Sequence, residues 1–340
     1  MDGYISYVEA RATQSQELGR VITRLAVGVG DARDRGELRG PGPIFLGIGA
    51  SLAAASAATW AMRERGIDAW RLGAGDTPLP LPAGDRVYIG VSQSGRSTET
   101  IAGLESVEPH RRLAVVNAHP SPLSELVDSA ITLGNIPDSY ASTIGYTATL
   151  VALGMIAEAW DGGEIDPGWR TLPQAFDALG IASDSALDTA AGAFIDASVA
   201  DFVGNGTSIG SAEAGALLFR EVARISASSM GTRQYLHGAM ESASEHSVHV
   251  ILGDDREHEL AGTLGEAGHR VILITATPFR ARDNVAVITL PQRSTTQRAV
   301  LEALIMQSLV ERVAALRGVE IEEFVFHNDD TKTVGTSAPA

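Results

Sequence analysis

Short apolar runs rich in branched residues recur along the chain, and alanine-rich stretches of helical character separate them. The first half carries such runs at 44–49, 87–92, 113–118 and 130–134, the second at 202–206, 248–253, 271–276 and 285–291. Start-to-start gaps of 43, 26 and 17 residues in the first set face gaps of 46, 23 and 14 in the second. A weaker run follows the opening one in each half, at 69–72 and 224–227. Uninterrupted apolar strands alternating with helices belong to parallel sheets, because crossover helices cover both faces. The pattern predicts an α/β chain of two similar αβα sandwiches, each built on a parallel sheet of about five strands.

The two halves also open alike. FLGIGASLAAAS places a strand, a glycine turn at Gly47 to Ser51 and an alanine-rich helix in succession, and FVGNGTSIGSAE repeats this at Gly204 to Ser208. Coincidence among Gly- and Ala-rich turns is the competing explanation. Residues 1–42 read as an amphipathic helical arm ending at Gly40-Pro41-Gly42-Pro43, and 43–160 as the first domain. Residues 161–198, punctuated by Gly162-Gly163, Pro167 and Pro173, read as a helical linker, 199–325 as the second domain and 326–340 as a polar tail.

In parallel α/β sheets, ligands bind at the carboxyl ends of strands, beside helix N-termini. Three segments of the first half fit that place: Gly49-Ala50-Ser51, the turn from Ser92 through Gln93, Ser94, Gly95, Arg96 and Ser97 to Thr100, and Ala141-Ser142-Thr143. Hydroxyls and free backbone N–H groups at a helix start make a phosphate cradle without any lysine. One such turn is ordinarily just a helix cap. Three in one half, with five hydroxyls between Ser92 and Thr100, favour an anion site. A dinucleotide fingerprint is incomplete, since Leu52 stands where its third glycine belongs, although Asp76, rather far downstream, could serve as the ribose acid.

Charge narrows the partners further. A net charge of −16 opposes general nucleic-acid or anionic-membrane binding. With no cysteine there are no disulfides, thiolate metal sites or thiol nucleophiles. His246, His249 and His258 lack a recognised ligand spacing, so neither a metal nor another cofactor is expected. The start MDGYISYVEA has no basic and apolar leader pattern, and the apolar stretch at 147–156 is too short to span a bilayer, which together predict a soluble, cytoplasmic protein. Of the 26 basic residues 25 are arginine, and the single lysine is Lys332.

The run SQSGRSTET, 92–100, resembles the signature of the sugar isomerase (SIS) domain, a phosphosugar-binding module. A chain with two tandem SIS domains is similar to the isomerase half of glucosamine-6-phosphate synthase and to related amino-sugar-phosphate deaminases and isomerases. The resemblance implies that Ser51, Ser92, Gln93, Ser94 and Ser97 hold the phosphate and sugar hydroxyls, with Ser142 nearby. ALLFREVARISASSM, 216–230, resembles the family helix whose glutamate shuttles a proton between C1 and C2, which implies that role for Glu221. QYLHGAM, sixteen residues on, resembles the segment carrying the ring-opening histidine and maps it to His237. DDTKTV, 329–334, resembles the closing segment with the catalytic lysine and maps it to Lys332. A homodimer with the histidine contributed across the interface is also implied.

Taken singly, Glu221 is a helix carboxylate between two arginines, His237 a turn histidine and Lys332 a solvated tail lysine. Together they supply a carboxylate for proton transfer, an imidazole for ring opening and an amine to polarise a carbonyl or form an imine. Four positions depart from the family pattern: Arg96 for an acidic residue, Ile144 and Leu218 for lysines, and Ala239 for proline. A chain of 340 residues leaves no room for a glutaminase domain. The expected activity is therefore deamination of an amino-sugar phosphate, such as glucosamine 6-phosphate. Plain phosphosugar isomerisation, a fructosamine-phosphate deglycase and a non-catalytic phosphosugar sensor are the alternatives.

Overall fold

In a computed structural model of the chain, which describes residues 3–322, 324–326 and 329–333, each of the ten short runs named as strand candidates contributes to a strand, and the apolar stretch at 147–156 is helical. The chain divides into two compact units, Met1–Thr171 with Val325–Ala340, and Leu172–Phe324. The first unit runs α1 (Tyr7–Asp34), β1 (Ile44–Gly47), α2 (Ala50–Glu64), β2 (Trp70–Gly73), β3 (Tyr88–Ser92), α3 (Thr98–Glu105), β4 (Arg112–Val116), α4 (Pro122–Glu125), β5 (Ala130–Thr132) and α5 (Ile144–Ala159). The second runs α6 (Leu172–Ala182), α7 (Asp184–Gly192), β6 (Val199–Gly204), α8 (Ser208–Leu218), β7 (Ser226–Gly231), α9 (Thr232–Leu236), β8 (Ser247–Leu252), α10 (Arg256–Glu266), β9 (Arg270–Thr275), β10 (Val285–Thr289) and α11 (Thr295–Arg317).

Both sheets are wholly parallel and have the same strand order, β2-β1-β3-β4-β5 in one and β7-β6-β8-β9-β10 in the other. The weak runs at 69–72 and 224–227 become β2 and β7, which lie at sheet edges and are less apolar because one side of each ladder lacks a neighbour. The two inner strands β3 and β8 are buried along their whole length, as expected where helices cover both faces.

Helix α5 is apolar all round and packs between α1 and α2. The face of α1 built from Tyr7, Ala10, Leu18, Val21, Leu25 and Val29 is buried against it, so the segment read as an arm is a layer of the first unit. The segment read as a linker divides between the units after Thr171, and its helices α6 and α7 pack on α11 in the second. Among the described residues, no helix is long and apolar enough to cross a membrane.

In the second unit Phe219 stacks on Phe194 and on Phe202, with ring centroids 4.9 Å apart in each pair. All three rings are fully buried. Phe219 begins a π-helical turn, Phe219–Ala223, that ends α8 and closes at Arg224 in the left-handed region (φ 54°). Phe219→Ala is expected to lower the denaturation free energy of the second unit by about 3–5 kcal/mol, the cost of a large aromatic cavity. Chemical denaturation followed by circular dichroism measures this, and a loss below about 1 kcal/mol would show that the cluster is not what holds the turn.

Candidate active site

The strand order places a topological switch point between β1 and β3, where successive crossovers leave the sheet in opposite directions and open a crevice at the carboxyl edge. Ser51 enters this edge in the first turn of α2, half-buried, with no side-chain partner among the described residues. Ser92 ends β3, and its hydroxyl lies 2.9 Å from that of Ser97, the N-cap of α3. Because the Ser97 hydroxyl turns toward Ser92 and makes no cap bond, the first-turn N–H groups of α3 have no side-chain cap. The turn between them is held by the Gly95 N–H on the Ser92 carbonyl, the Arg96 N–H on the Ser94 hydroxyl (3.3 Å), and the Leu123 N–H on the Gly95 carbonyl. Gly95 has φ +61°, and a Cβ there would collide with the Ser121 hydroxyl, so this turn requires glycine.

The third hydroxyl-rich turn is built differently from what its serine and threonine suggested. Asp138, nearly buried, accepts hydrogen bonds from the backbone N–H groups of Thr143 (3.0 Å), Ile144 (3.1 Å) and Gly145 (2.9 Å), which start α5. The same carboxylate accepts from the hydroxyls of Thr143 (2.8 Å) and Ser142 (2.7 Å) and from the Gln93 amide (2.8 Å). The anion at this helix start is therefore the protein's own. Ser142 donates to Asp138, and the Gln93 amide is oriented by it. Gly145 admits this arrangement, since a Cβ there would strike the Gln93 amide. An aspartate four residues before Ser142 is the sequence signal that would have found this cap. Ile144, where the family pattern has lysine, is buried in the first turn of α5.

Lys332 belongs to the first unit and is brought to the same turn. It forms an isolated antiparallel bridge with Ser97. On either side of it, the Thr98 hydroxyl donates to the Asp330 carbonyl (3.2 Å), and the Thr333 N–H donates to the Arg96 carbonyl (2.9 Å). The Lys332 side chain is exposed. Val334, which closes the tail motif, lies outside the described residues.

Glu221 and His237 lie in the second unit. Glu221 sits in the π-helical turn, half-buried, with no hydrogen-bond or ion-pair partner among the described residues. Burial pushes its carboxyl up to about 7. His237 is exposed and ends α9, just before Gly238 (φ 127°) and Ala239, which starts a short 3₁₀ turn. The six-residue strand β7 separates the two: Glu221 precedes its amino end and His237 follows its carboxyl end. They flank the two ends of β7, an edge strand of the second sheet.

Sequence reasoning missed the network under α9. Tyr235 is fully buried, and its hydroxyl lies 3.1 Å from the Asp201 carboxylate and 2.8 Å from His249 Nδ1. Asp201 also accepts from Ser228 (2.6 Å), and Ser247 lies 2.9 Å from His249 Nε2. Desolvation holds His249 down at about 4, against the attraction of Asp201, and raises the Tyr235 hydroxyl above its ordinary range. The histidines considered for a metal thus diverge: His249 is in this core network, His258 bonds Thr275 (2.8 Å) and His246 is exposed. The second sheet's own switch-point edge is filled by an ion network, in which Arg298 pairs with Asp254 and with Glu302 (2.8 Å), and Glu302 accepts from Ser208 (2.7 Å).

No protein-family profile matches the chain. A curated relative, the isomerizing glutamine–fructose-6-phosphate aminotransferase of Chlorobaculum tepidum, is 27% identical over 262 residues, 72% of this chain and 42% of the relative. The chain therefore spans less than half the length of that relative. Among solved structures, the C-terminal domain of glucosamine-fructose-6-phosphate aminotransferase from Francisella tularensis superposes with a TM-score of 0.80 at 19% identity, covering 95% of this chain and 99% of that one. Glucosamine-6-phosphate deaminase from Thermotoga maritima gives 0.74 at 15% identity, covering 96% and 99%. The fold is thus the SIS-type α/β fold with two parallel five-stranded sheets. The relatives and neighbours that carry it are phosphosugar enzymes.

Two outcomes follow from these geometries. Asp138→Ala leaves several helix-start donors unpaired and is expected to cost about 2–4 kcal/mol in denaturant titration; a loss within 0.5 kcal/mol, roughly the noise of surface substitutions, would deny it the capping role. For Glu221 the folded-state value lies above the ordinary 4.5, so the folded protein binds the proton more tightly than the unfolded chain does. Its contribution to stability is therefore lost as pH rises from about 4.5 to 7, by on the order of 3 kcal/mol at most. Glu221→Gln should flatten that part of the stability–pH curve, and an unchanged slope would contradict the burial effect.

Proposed function

We propose that the chain is an aldose–ketose phosphosugar enzyme that deaminates an amino-sugar phosphate such as glucosamine 6-phosphate. The observation that carries this reading is the antiparallel bridge between Ser97 and Lys332, which brings the chain's one lysine to an uncapped, hydroxyl-rich helix start. An anion at the α3 N-terminus meets the hydroxyls of Ser92, Ser94 and Ser97, and Ser51 opens the neighbouring helix α2. Pinning the phosphate fixes the orientation of the sugar's reactive carbons.

His237 protonates the ring oxygen to open the sugar. Glu221, with a carboxyl near 7, suits both removal of the C2 proton and its return to C1 at neutral pH. The product of that shift is a C2 imine. Water adds to it and ammonia leaves, so that one amino-sugar phosphate and one water yield one ketose phosphate and one ammonia. Lys332 polarises the open-chain carbon or holds it as an imine. In plain isomerisation the same proton shift runs between a C2 hydroxyl and a C1 carbonyl with no C–N bond broken.

Glu221 and His237 stand at opposite ends of β7 in one chain, which supports a dimer in which the histidine acts in the partner's site. Turnover assays for ammonia and ketose phosphate across phosphorylated amino sugars, fructosamine phosphates and plain aldose phosphates test the reaction. Phosphosugar binding without turnover of any of them would replace the enzyme with a sensor. Glu221→Gln should abolish turnover while keeping substrate affinity, and retained turnover would remove the proton-shuttle role. Mixing inactive Glu221→Gln and His237→Ala proteins should restore about a quarter of wild-type activity if sites are shared in a dimer. No recovery after subunit exchange would place both residues in one chain's site.

A further inference from the structure

Position 96 departs from the family pattern, with arginine in place of an acidic residue, and its contacts give that departure a purpose. Arg96 and Thr333 close a ring of hydrogen bonds. The Thr333 N–H and hydroxyl point to the Arg96 carbonyl (2.9 and 3.4 Å), while Arg96 Nε donates to the Thr333 carbonyl (2.9 Å). Lys332 lies between this ring and the Thr98–Asp330 contact, so the chain is tied down one residue after it and two before it. An acidic side chain at 96 has no donor for the Thr333 carbonyl and would repel it. The remaining guanidinium nitrogens have no partner among the described residues, and Arg96 itself is exposed. No other side chain among the described residues is recorded bonding Thr333.

We infer that Arg96 is a positioning residue that latches residues 330–333 onto the phosphate turn and so sets the place of the Lys332 amine. The inference rests on the proposed role of Lys332, but the latch itself is a separate physical claim. A short exposed segment held by one backbone bridge frays readily, because ordering each residue costs about 1–2 kcal/mol. A charge-assisted side-chain bond at Thr333 shifts that balance toward the docked form. Arg96 acting directly on phosphate would instead make its effect fall on substrate affinity.

The test uses the full chain and two readouts. Arg96→Ala should speed amide hydrogen exchange at Thr333 by about tenfold, the effect of losing one charged hydrogen bond. It should lower kcat by a similar factor with KM within about twofold. Arg96→Lys, which keeps the charge but not the Nε geometry, should recover only part of both. Thr333→Pro removes the N–H from the other side of the ring without touching the phosphate turn and should reproduce the fall in kcat. Exchange at Thr333 unchanged in Arg96→Ala overturns the latch, as does a rise in KM with kcat intact. If Lys332→Arg turns over normally while exchange at Thr333 still responds to Arg96, the lysine's catalytic role fails and the latch stands.

Discussion

Where an anion can settle on this protein is decided by which helix starts already have one. The Asp138 carboxylate caps α5 through three backbone N–H groups, two hydroxyls and the Gln93 amide, and so closes the N-terminus of the most apolar helix of the first unit. The N-terminus of α3, one strand away, is left without such a cap because Ser97 turns to Ser92. One carboxylate thus both anchors α5 between α1 and α2 and orients Gln93 at the edge of the open turn. The same edge of the second sheet is taken by Arg298 and its carboxylates, so two sheets of one topology present different faces to a ligand.

Burial works against the charged form of Glu221. A carboxyl held near 7 without a partner is destabilising to the folded chain at neutral pH, and nothing among the described residues offsets it directly. The Phe194–Phe219–Phe202 stack supplies apolar packing next to it, and the π-helical turn aims the residue through an extra backbone residue per turn. Under α9, the Tyr235–Asp201–His249 network holds the short helix that ends in His237 and keeps its own titrating groups away from solvent.

Ten strands were legible because an internal parallel strand must be apolar on both faces, and even the edge strands β2 and β7 left a weak trace. The strand-to-helix turns at Ser51 and Ser92–Thr100 were legible as turns at the starts of α2 and α3. The third was not: Ser142 and Thr143 have the composition of a phosphate cradle, but an acid four and five residues upstream folds back onto their helix. In the arm and linker segments, amphipathic periodicity told that α1, α6 and α7 bury a face, and packing decided against what.

The sequence by itself determined the sheet topology's raw material: strand number, doubling, the carboxyl-edge location of hydroxyl-rich turns, and a single lysine among 26 basic residues. These follow from local rules, because periodicity and turn chemistry act over a few residues. Tertiary structure alone decided which helix start stays open, that Arg96 meets Thr333 across 237 positions of chain, and that Glu221 and His237 are held apart by β7. Contacts of that separation depend on how whole elements pack, and no short stretch of sequence encodes them.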